Sequence, residues 1–292
     1  MEKDIRLVLS SGGARGLAQI GAIQSLEQHG FRIKSVCGSS IGAVIGGLYA
    51  MDKLDDYTKW IKTLDKSAVW GLMDFALTGK GLIKGEKVFD KMKTFIPDVL
   101  IEDMEIPYVA VATDVLNRKE MVFDQGSFYD AARASIAIPA LITPVHHLET
   151  ILVDGGVLNP IPFDHIKPVE SSLLVVVNLY GPIEGKYAQG SESENEDDED
   201  NDRSGFLNSL LRIISTSDKK SLGYIGLLTT ISTMMLSKIA QLSIRIHQPD
   251  IVINVPGDSA STFEFFKADE LISLGKKLSD ESISHYLTEQ NA

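Results

Sequence analysis

The spacing of apolar positions changes along the chain, and each change marks an element. Ile5 to Leu9 is a short apolar run closing on Ser10-Ser11-Gly12-Gly13, the pattern of a buried parallel strand that feeds a loop. Leu17, Ile20, Ile23 and Leu26 recur at helical spacing, and Gly30 ends that helix after His29. Ile33 to Gly38 reads as a second strand, followed by a small-residue helix from Ile41 to Ala50. Strand, helix, strand, helix in this order predicts a βαβ unit and a parallel sheet.

Helical spacing then dominates from Leu54 to Ile96, interrupted by a loop at Leu77 to Gly85 that holds three glycines. With few strand signals, this segment is expected to form a cap near the sheet edge. Pro107 to Thr113 is a buried strand, and Arg118 to Phe123 is expected to pair with it across Asp114 to Asn117. Ser127 is placed to cap a helix from Phe128 to Ala137, with Asp130 in its first turn and Pro139 as its stop. Ile142 to His147 and Thr150 to Val153 predict a hairpin around Leu148-Glu149, whose second strand runs into Asp154-Gly155-Gly156.

Leu173 to Leu179, with three consecutive valines, is the most apolar strand. From Phe206 to Ile246 the helical period returns. Tyr224, Leu227, Leu228, Ile231, Met234, Met235, Ile239, Leu242 and Ile246 share one wide face, expected first to pack on the sheet. A lipid-facing or acyl-lining helix is the alternative, since methionine-rich faces suit variable apolar ligands. Asp250 to Val255 and Ala268 to Leu287 read as a last strand and a closing helix. No internal repeat or linker divides the chain, so residues 1–292 are read as one domain. Its core motifs lie in 5–180, an acidic loop at about 188–204, and a completing segment in 205–292.

Composition narrows the function classes. The 292 residues are 44% hydrophobic and 23% charged, which is globular, and the formal net charge is -12. That balance argues against a nucleic-acid partner and against long-range attraction to anionic lipid. Eight of the acidic residues fall between Ser191 and Asp202, a stretch without a cation that is expected to be solvated. The lone Cys37 rules out an internal disulfide and reads as a small buried hydrophobe. The N-terminus shows no secretory pattern and no uninterrupted apolar run reaches the length of a membrane span, so a soluble cytoplasmic protein is expected, with transient contact at a membrane surface.

Candidate chemistry starts at Gly38-Ser39-Ser40-Ile41-Gly42, a G-x-S-x-G turn between a strand and a helix. In that context it is a candidate nucleophile elbow, with the helix N-terminus aimed at Ser40 where an oxyanion would form. Two further loops are expected to meet it along the carboxyl edge of the sheet. Ser11-Gly12-Gly13-Ala14-Arg15-Gly16 offers unobstructed backbone N–H groups, an anion cradle. Arg15 either reinforces that cradle or fixes the loop through a salt bridge. Asp154, at a strand end before Gly155 and Gly156, is the candidate base, and an apolar approach through Ile151 to Val153 would raise its pKa. Asp-Gly-Gly is also a common turn. A histidine more often serves as base, but nothing in their spacing brings His29, His146, His147, His165, His247 or His285 to Ser40. There is no metal-ligand pattern and no Walker motif, and no cofactor is expected.

These residues resemble the patatin-like phospholipases. Gly12-Gly13-Ala14-Arg15-Gly16, Gly38-Ser39-Ser40-Ile41-Gly42 and Asp154-Gly155-Gly156 carry the resemblance in that order. Ala134-Ser135-Ile136-Ala137-Ile138-Pro139 and Val157-Leu158-Asn159-Pro160-Ile161-Pro162 add to it, so that it covers about Leu7 to Pro162. The resemblance implies a three-layer α/β/α sandwich with a mainly parallel central sheet. It also implies hydrolysis of lipid acyl esters by a Ser–Asp dyad without histidine. Ser40 matches the nucleophile, Asp154 the base, and Gly12, Gly13, Ala14 and Arg15 the oxyanion loop, with Gly16, Gly38, Gly42, Gly155 and Gly156 supporting the turns. Ser11 stands where the family loop usually begins with glycine, a change expected to be tolerated unless the backbone there needs positive φ. Two other readings stay open: a lipid-binding protein without catalysis on the same fold, and a dinucleotide-binding protein built on Ser-Gly-Gly-Ala-Arg-Gly, against which the second strand ends without an acidic residue for a ribose.

Overall fold

A computed structural model of the chain describes residues 3–74, 83–185 and 224–290. The acidic stretch, the first part of the Phe206–Ile246 helix and most of the glycine-bearing loop lie outside the described residues. Among the described residues, eight strands form one sheet: β1 (Lys3–Leu9), β2 (Phe31–Ser39), β3 (Tyr108–Asp114), β4 (Lys119–Phe123), β5 (Val145–His147), β6 (Thr150–Asp154), β7 (Leu173–Gly181) and β8 (Ile251–Pro256). Their order is β5-β6-β3-β2-β1-β7-β8, with β4 also on β3. The five central strands, β3-β2-β1-β7-β8, are mutually parallel.

The helices are α1 (Leu17–Gln28), α2 (Ile41–Ala50), α3 (Leu54–Ile61), α4 (Lys66–Leu72), α5 (Glu86–Lys93), α6 (Phe128–Ser135), α7 (Tyr224–His247) and α8 (Ala268–Gln290). Side chains alternate across the sheet, so each strand feeds two cores. Ile5, Leu7 and Leu9 of β1 face one way, into a large core with Leu17, Ile20 and Ile23 of α1, Ile45 and Leu48 of α2, and Leu271 of α8. Val8 faces the other way, against Val176, Tyr180, Ile161 and Ala240. Cys37 is fully buried beside Val109 and Val111, and burial pushes its thiol pKa up, as suits a packing residue.

Element boundaries agree with the sequence pattern to within a few residues. Ser127 accepts the Asp130 N–H and caps α6, and the hairpin turns at Leu148, whose φ is 50°. Two expectations are corrected. First, β6 does not belong to the parallel set; it runs antiparallel to β3. Second, α7 does not pack through the wide face read from its sequence. It packs through Leu236, Ala240 and Ile244, where small Ala240 allows close approach to the sheet. The face read as buried is mostly solvent-facing, with Met234 67% and Ile246 73% exposed. Counted as a helix, Leu227–His247 is also 21 residues with a mean hydropathy of 1.2, long and apolar enough to cross a membrane. Serines, threonines, Lys238, Gln241 and Arg245 interrupt it, so it contains no unbroken apolar run of that length.

Candidate active site

The register of three strands explains how residues 114 positions apart meet. β2 pairs with β3 at residues 108–111, ending with Ser39 opposite Val111. β6 pairs with β3 at residues 112–114, ending with Asp154 opposite Ala112. β4 covers residues 110–114 of β3 and overlaps both, so it occupies the opposite edge. β2 and β6 therefore share one edge of β3 and run head to head. Their last residues abut, and the chain leaving β2 is the elbow.

Ser40 holds the elbow in a strained conformation, with φ 54° and ψ −125°. A Cβ at Gly38 would overlap the Gly42 carbonyl, and one at Gly42 would overlap the Leu9 carbonyl, so both positions require glycine for close approach. The Ser40 N–H donates to Ser135 Oγ at 2.8 Å, and Ser135 Oγ–H donates to the Val111 carbonyl at 2.6 Å. That bridge from α6 pins the elbow to β3. Ser135 lies in one of the family-like segments, but nothing in its local pattern marked this role.

Ser40 Oγ–H donates to Asp154 Oδ2 at 2.5 Å. The other carboxyl oxygen accepts the Gly156 N–H at 2.7 Å, and the Asp154 carbonyl accepts Thr113 Oγ1–H at 3.0 Å. Gly155 packs on the Val111 carbonyl and Gly156 on Ser11 Oγ, each too close for a Cβ. Ser40 and Asp154 are 4% and 6% exposed. Burial pushes the Asp154 carboxyl up to about 6, with the hydrogen bonds from Ser40 and Gly156 pulling it part of the way down. The six histidines are engaged elsewhere or lie apart: His165 with Glu120, His247 with Asp164, His29 with Asp280, His285 with Glu289, and His146 and His147 on β5.

The glycine-rich loop follows β1 and turns at Gly13, where φ is 59°. Among the described residues the Gly12 and Gly13 N–H groups have no hydrogen-bond partner. Ala14 differs from expectation: its N–H donates to the Thr262 carbonyl at 3.0 Å and is not available to an oxyanion. Arg15 takes the second of its two expected roles, with backbone carbonyls in place of a salt-bridge partner. Its guanidinium donates to the Gly12, Leu179 and Gly257 carbonyls, so it fixes the loop through backbone oxygens. Gly16 lets the loop's end close on Ile41. Ser11 is not among the positive-φ residues; its hydroxyl shares a 2.5 Å hydrogen bond with Tyr180.

A cavity of about 920 Å³, including its open mouth, starts at Ser40 and Gly13. The cap helices α3, α4 and α5 wall it with Trp60, Ile61, Val69, Leu72 and Phe89, and α2 adds Val44. Among the described residues its lining carries no ionisable side chain other than Tyr57, whose phenol burial makes still less acidic. The site thus joins a buried hydroxyl–carboxylate pair to a long apolar chamber.

The patatin-like phospholipase family model matches residues 7–166. An NTE family protein of Mycobacterium tuberculosis is 41% identical over 181 residues, 62% of this chain and 50% of that protein. The patatin-like phospholipase domain-containing protein 6 of Mus musculus is 30% identical over 182 residues, 60% of this chain and 13% of that protein. The chain spans about half the length, or less, of these curated relatives. Among solved structures, VipD from Legionella pneumophila superposes with a TM-score of 0.50 over 99% of this chain and 67% of its own, at 14% identity, a likeness of fold. With the family model covering the elbow, the glycine-rich loop and the aspartate together, the chain belongs to the patatin-like phospholipase family.

Proposed function

We propose that the protein is a serine acyl hydrolase that cleaves fatty-acyl esters of lipids. The observation that carries this reading is the 2.5 Å hydrogen bond between Ser40 and a buried Asp154 at one end of an apolar cavity. Ser40 Oγ attacks the ester carbonyl while Asp154 accepts its proton. The tetrahedral oxyanion is held by the Gly12 and Gly13 N–H groups and by the N-terminus of α2. Asp154 returns the proton to the leaving alcohol and an acyl-serine remains. Asp154 then takes a proton from water, whose oxygen attacks the acyl carbonyl, and returns it to Ser40 Oγ as the acyl–serine bond breaks and the fatty acid leaves. The raised carboxyl suits both duties, because a carboxylate with a pKa near 6 is a stronger base than an ordinary one and is still ionised at neutral pH.

The apolar cavity favours a long acyl chain, bound without charge recognition and with the head group outside. The lipid-binding reading without catalysis uses the same cavity but leaves the strained Ser40 without a purpose. The dinucleotide reading lacks a carboxylate at the end of β2. The deciding experiment is a Ser40→Ala protein assayed against p-nitrophenyl esters of increasing chain length, with fluorophosphonate labelling in parallel. Turnover should fall by roughly a thousandfold or more and labelling should vanish, while the wild-type protein prefers longer chains. A Ser40→Ala protein that turns over normally, or a wild-type protein that resists the probe, refutes the proposal.

A further inference from the structure

The topology places the N-terminal half of α7 at the same edge of the sheet as Ser40. β7 and β8 are parallel to each other and, through β1, to β2, which ends at the elbow. α7 lies between β7 and β8 in sequence, so it returns antiparallel to both. Its C-terminal end is anchored low on the sheet: Ser243 donates to the Ile161 carbonyl, His247 pairs with Asp164 at 3.0 Å, and β8 starts shortly after. The 24-residue helix is roughly 36 Å long, and the six-residue β8 covers roughly 20 Å. The helix therefore overshoots the carboxyl edge by about ten residues.

Those residues are the exposed ones. Leu227 to Met235 are all exposed, including Leu227, Leu228, Ile231, Met234 and Met235 at 45, 43, 44, 67 and 60%. Two other segments of that edge show apolar side chains as well: Leu158, just after the Asp154 turn, is 41% exposed, and Ile183, just after β7, is 79% exposed. Water is a poor solvent for such a concentration of large apolar groups beside a site of this kind.

The chemistry of the overshoot indicates what covers it. No charged residue occurs from Tyr224 to Ser237, although the whole chain carries 40 acidic residues. The polar positions between the apolar ones are Thr229, Thr230, Ser232 and Thr233, which bring neither attraction to nor repulsion from head-group charge. A chain of net charge -12 gains nothing from an anionic surface, whereas an uncharged apolar helix enters the head-group layer by hydrophobic transfer. We infer that the N-terminal half of α7, with Leu158 and Ile183, docks the protein on the surface of a zwitterionic lipid bilayer and turns the Ser40 edge toward it. The occupant is lipid and not a partner protein, because the patch is broadly apolar and carries no charged side chain to set a partner's register.

The inference shares with the proposed chemistry only its edge of the sheet, and the test separates them. Binding is measured by co-sedimentation of the Ser40→Ala protein with phosphatidylcholine vesicles, with and without Ile231→Asp and Met235→Asp. These two residues lie one turn apart on α7 and outside the dyad, loop and cavity. Binding by the Ser40→Ala protein should persist in high salt and fall by roughly tenfold or more with the two aspartates. In the active protein the two aspartates should leave p-nitrophenyl butyrate turnover and thermal midpoint unchanged while vesicle-lipid hydrolysis drops. Absence of vesicle binding, equal binding by the aspartate variant, or binding that needs phosphatidylglycerol and is lost in salt would each overturn the inference. So would a dimer dispersed by the two aspartates without vesicle binding, which would assign the face to a second copy. Loss of butyrate turnover in the otherwise unaltered protein strikes at the acyl-hydrolase reading alone.

Discussion

Asp154→Asn should make the protein more stable at neutral pH, and the gain should disappear in acid. The carboxyl sits at about 6 in the folded protein, against an ordinary value of 3.8, because burial penalises its ionised form. A raised carboxyl binds its proton more tightly in the folded chain than in the unfolded one. Stability is therefore highest with the proton bound, falls as pH rises from about 4 to about 6, and stays reduced above that. A shift of about two pKa units at about 1.4 kcal/mol each makes the ionised carboxylate roughly 3 kcal/mol unfavourable at pH 8. Asparagine keeps the shape and removes the charge. Its carbonyl can accept the Gly156 N–H and its amide can donate to Ser40 Oγ, so neither neighbour is orphaned. For a chain of this length about 3 kcal/mol corresponds to roughly 5 °C in thermal midpoint. The assay is denaturant or thermal unfolding of both proteins across pH 4 to 8. A difference between them that does not change with pH would show that burial does not raise this carboxyl. A gain that appears in acid and vanishes at pH 8 would reverse the sign and refute the reasoning.

Two further outcomes follow from the same geometry. The proposed base works only as a carboxylate, so kcat/KM for a soluble short-chain ester should rise with pH and level off above about 6, with one acidic limb; a limb near pH 4 would mean the working carboxyl is not desolvated. Gly42→Ala should destabilise by roughly 3 kcal/mol or more and abolish fluorophosphonate labelling, because its Cβ would meet Leu9 backbone, whereas Gly71→Ala, with open space around it in α4, should stabilise by about 0.5–1 kcal/mol; equal unfolding midpoints for the two variants would contradict the packing described.

What was legible in the sequence followed from local physics. Short apolar runs ending in glycines announced β1 and β2, the 17-20-23-26 spacing announced α1, and the cap nature of 54–96 followed from helical spacing without strand signals. The elbow, the glycine-rich loop and Asp154 could be named because each is a contiguous motif. Several features depend on partners far along the chain, which no local pattern carries. The Ala14 N–H is taken by Thr262 and the Arg15 guanidinium by Gly257, so two members of the expected oxyanion loop became its supports. Ser135 reaches the elbow only because α6 crosses behind β3. The packing side of α7 differs from its sequence pattern, since hydrophobicity alone favours its leucine- and methionine-rich face. Contact with a sheet this close favours the stripe centred on Ala240.

The direction of β6 matters more than any of these, because it accounts for the direct contact between the two residues of the proposed dyad. Had Asp154 come from a strand one further across the sheet, about 10 Å from the elbow, it would have needed an imidazole to bridge the gap. Arriving head-on along the same edge of β3, it meets the elbow across consecutive residues, Val111 and Ala112. The carboxylate and hydroxyl are then in direct contact, and the Gly156 N–H orients the carboxyl in the way a third group orients histidine elsewhere. That arrangement demands burial, since no imidazole supplies a base of suitable strength. The desolvation that destabilises the fold at neutral pH is the same interaction that lifts the Asp154 carboxyl to about 6, which the proposed base needs. A one-residue slip of β6 would turn Asp154 to the opposite face of the sheet. The register is held against such a slip by the Thr113 hydroxyl on the Asp154 carbonyl, by the Asp154 N–H on Ala137, and by the Thr150 hydroxyl on Asp114.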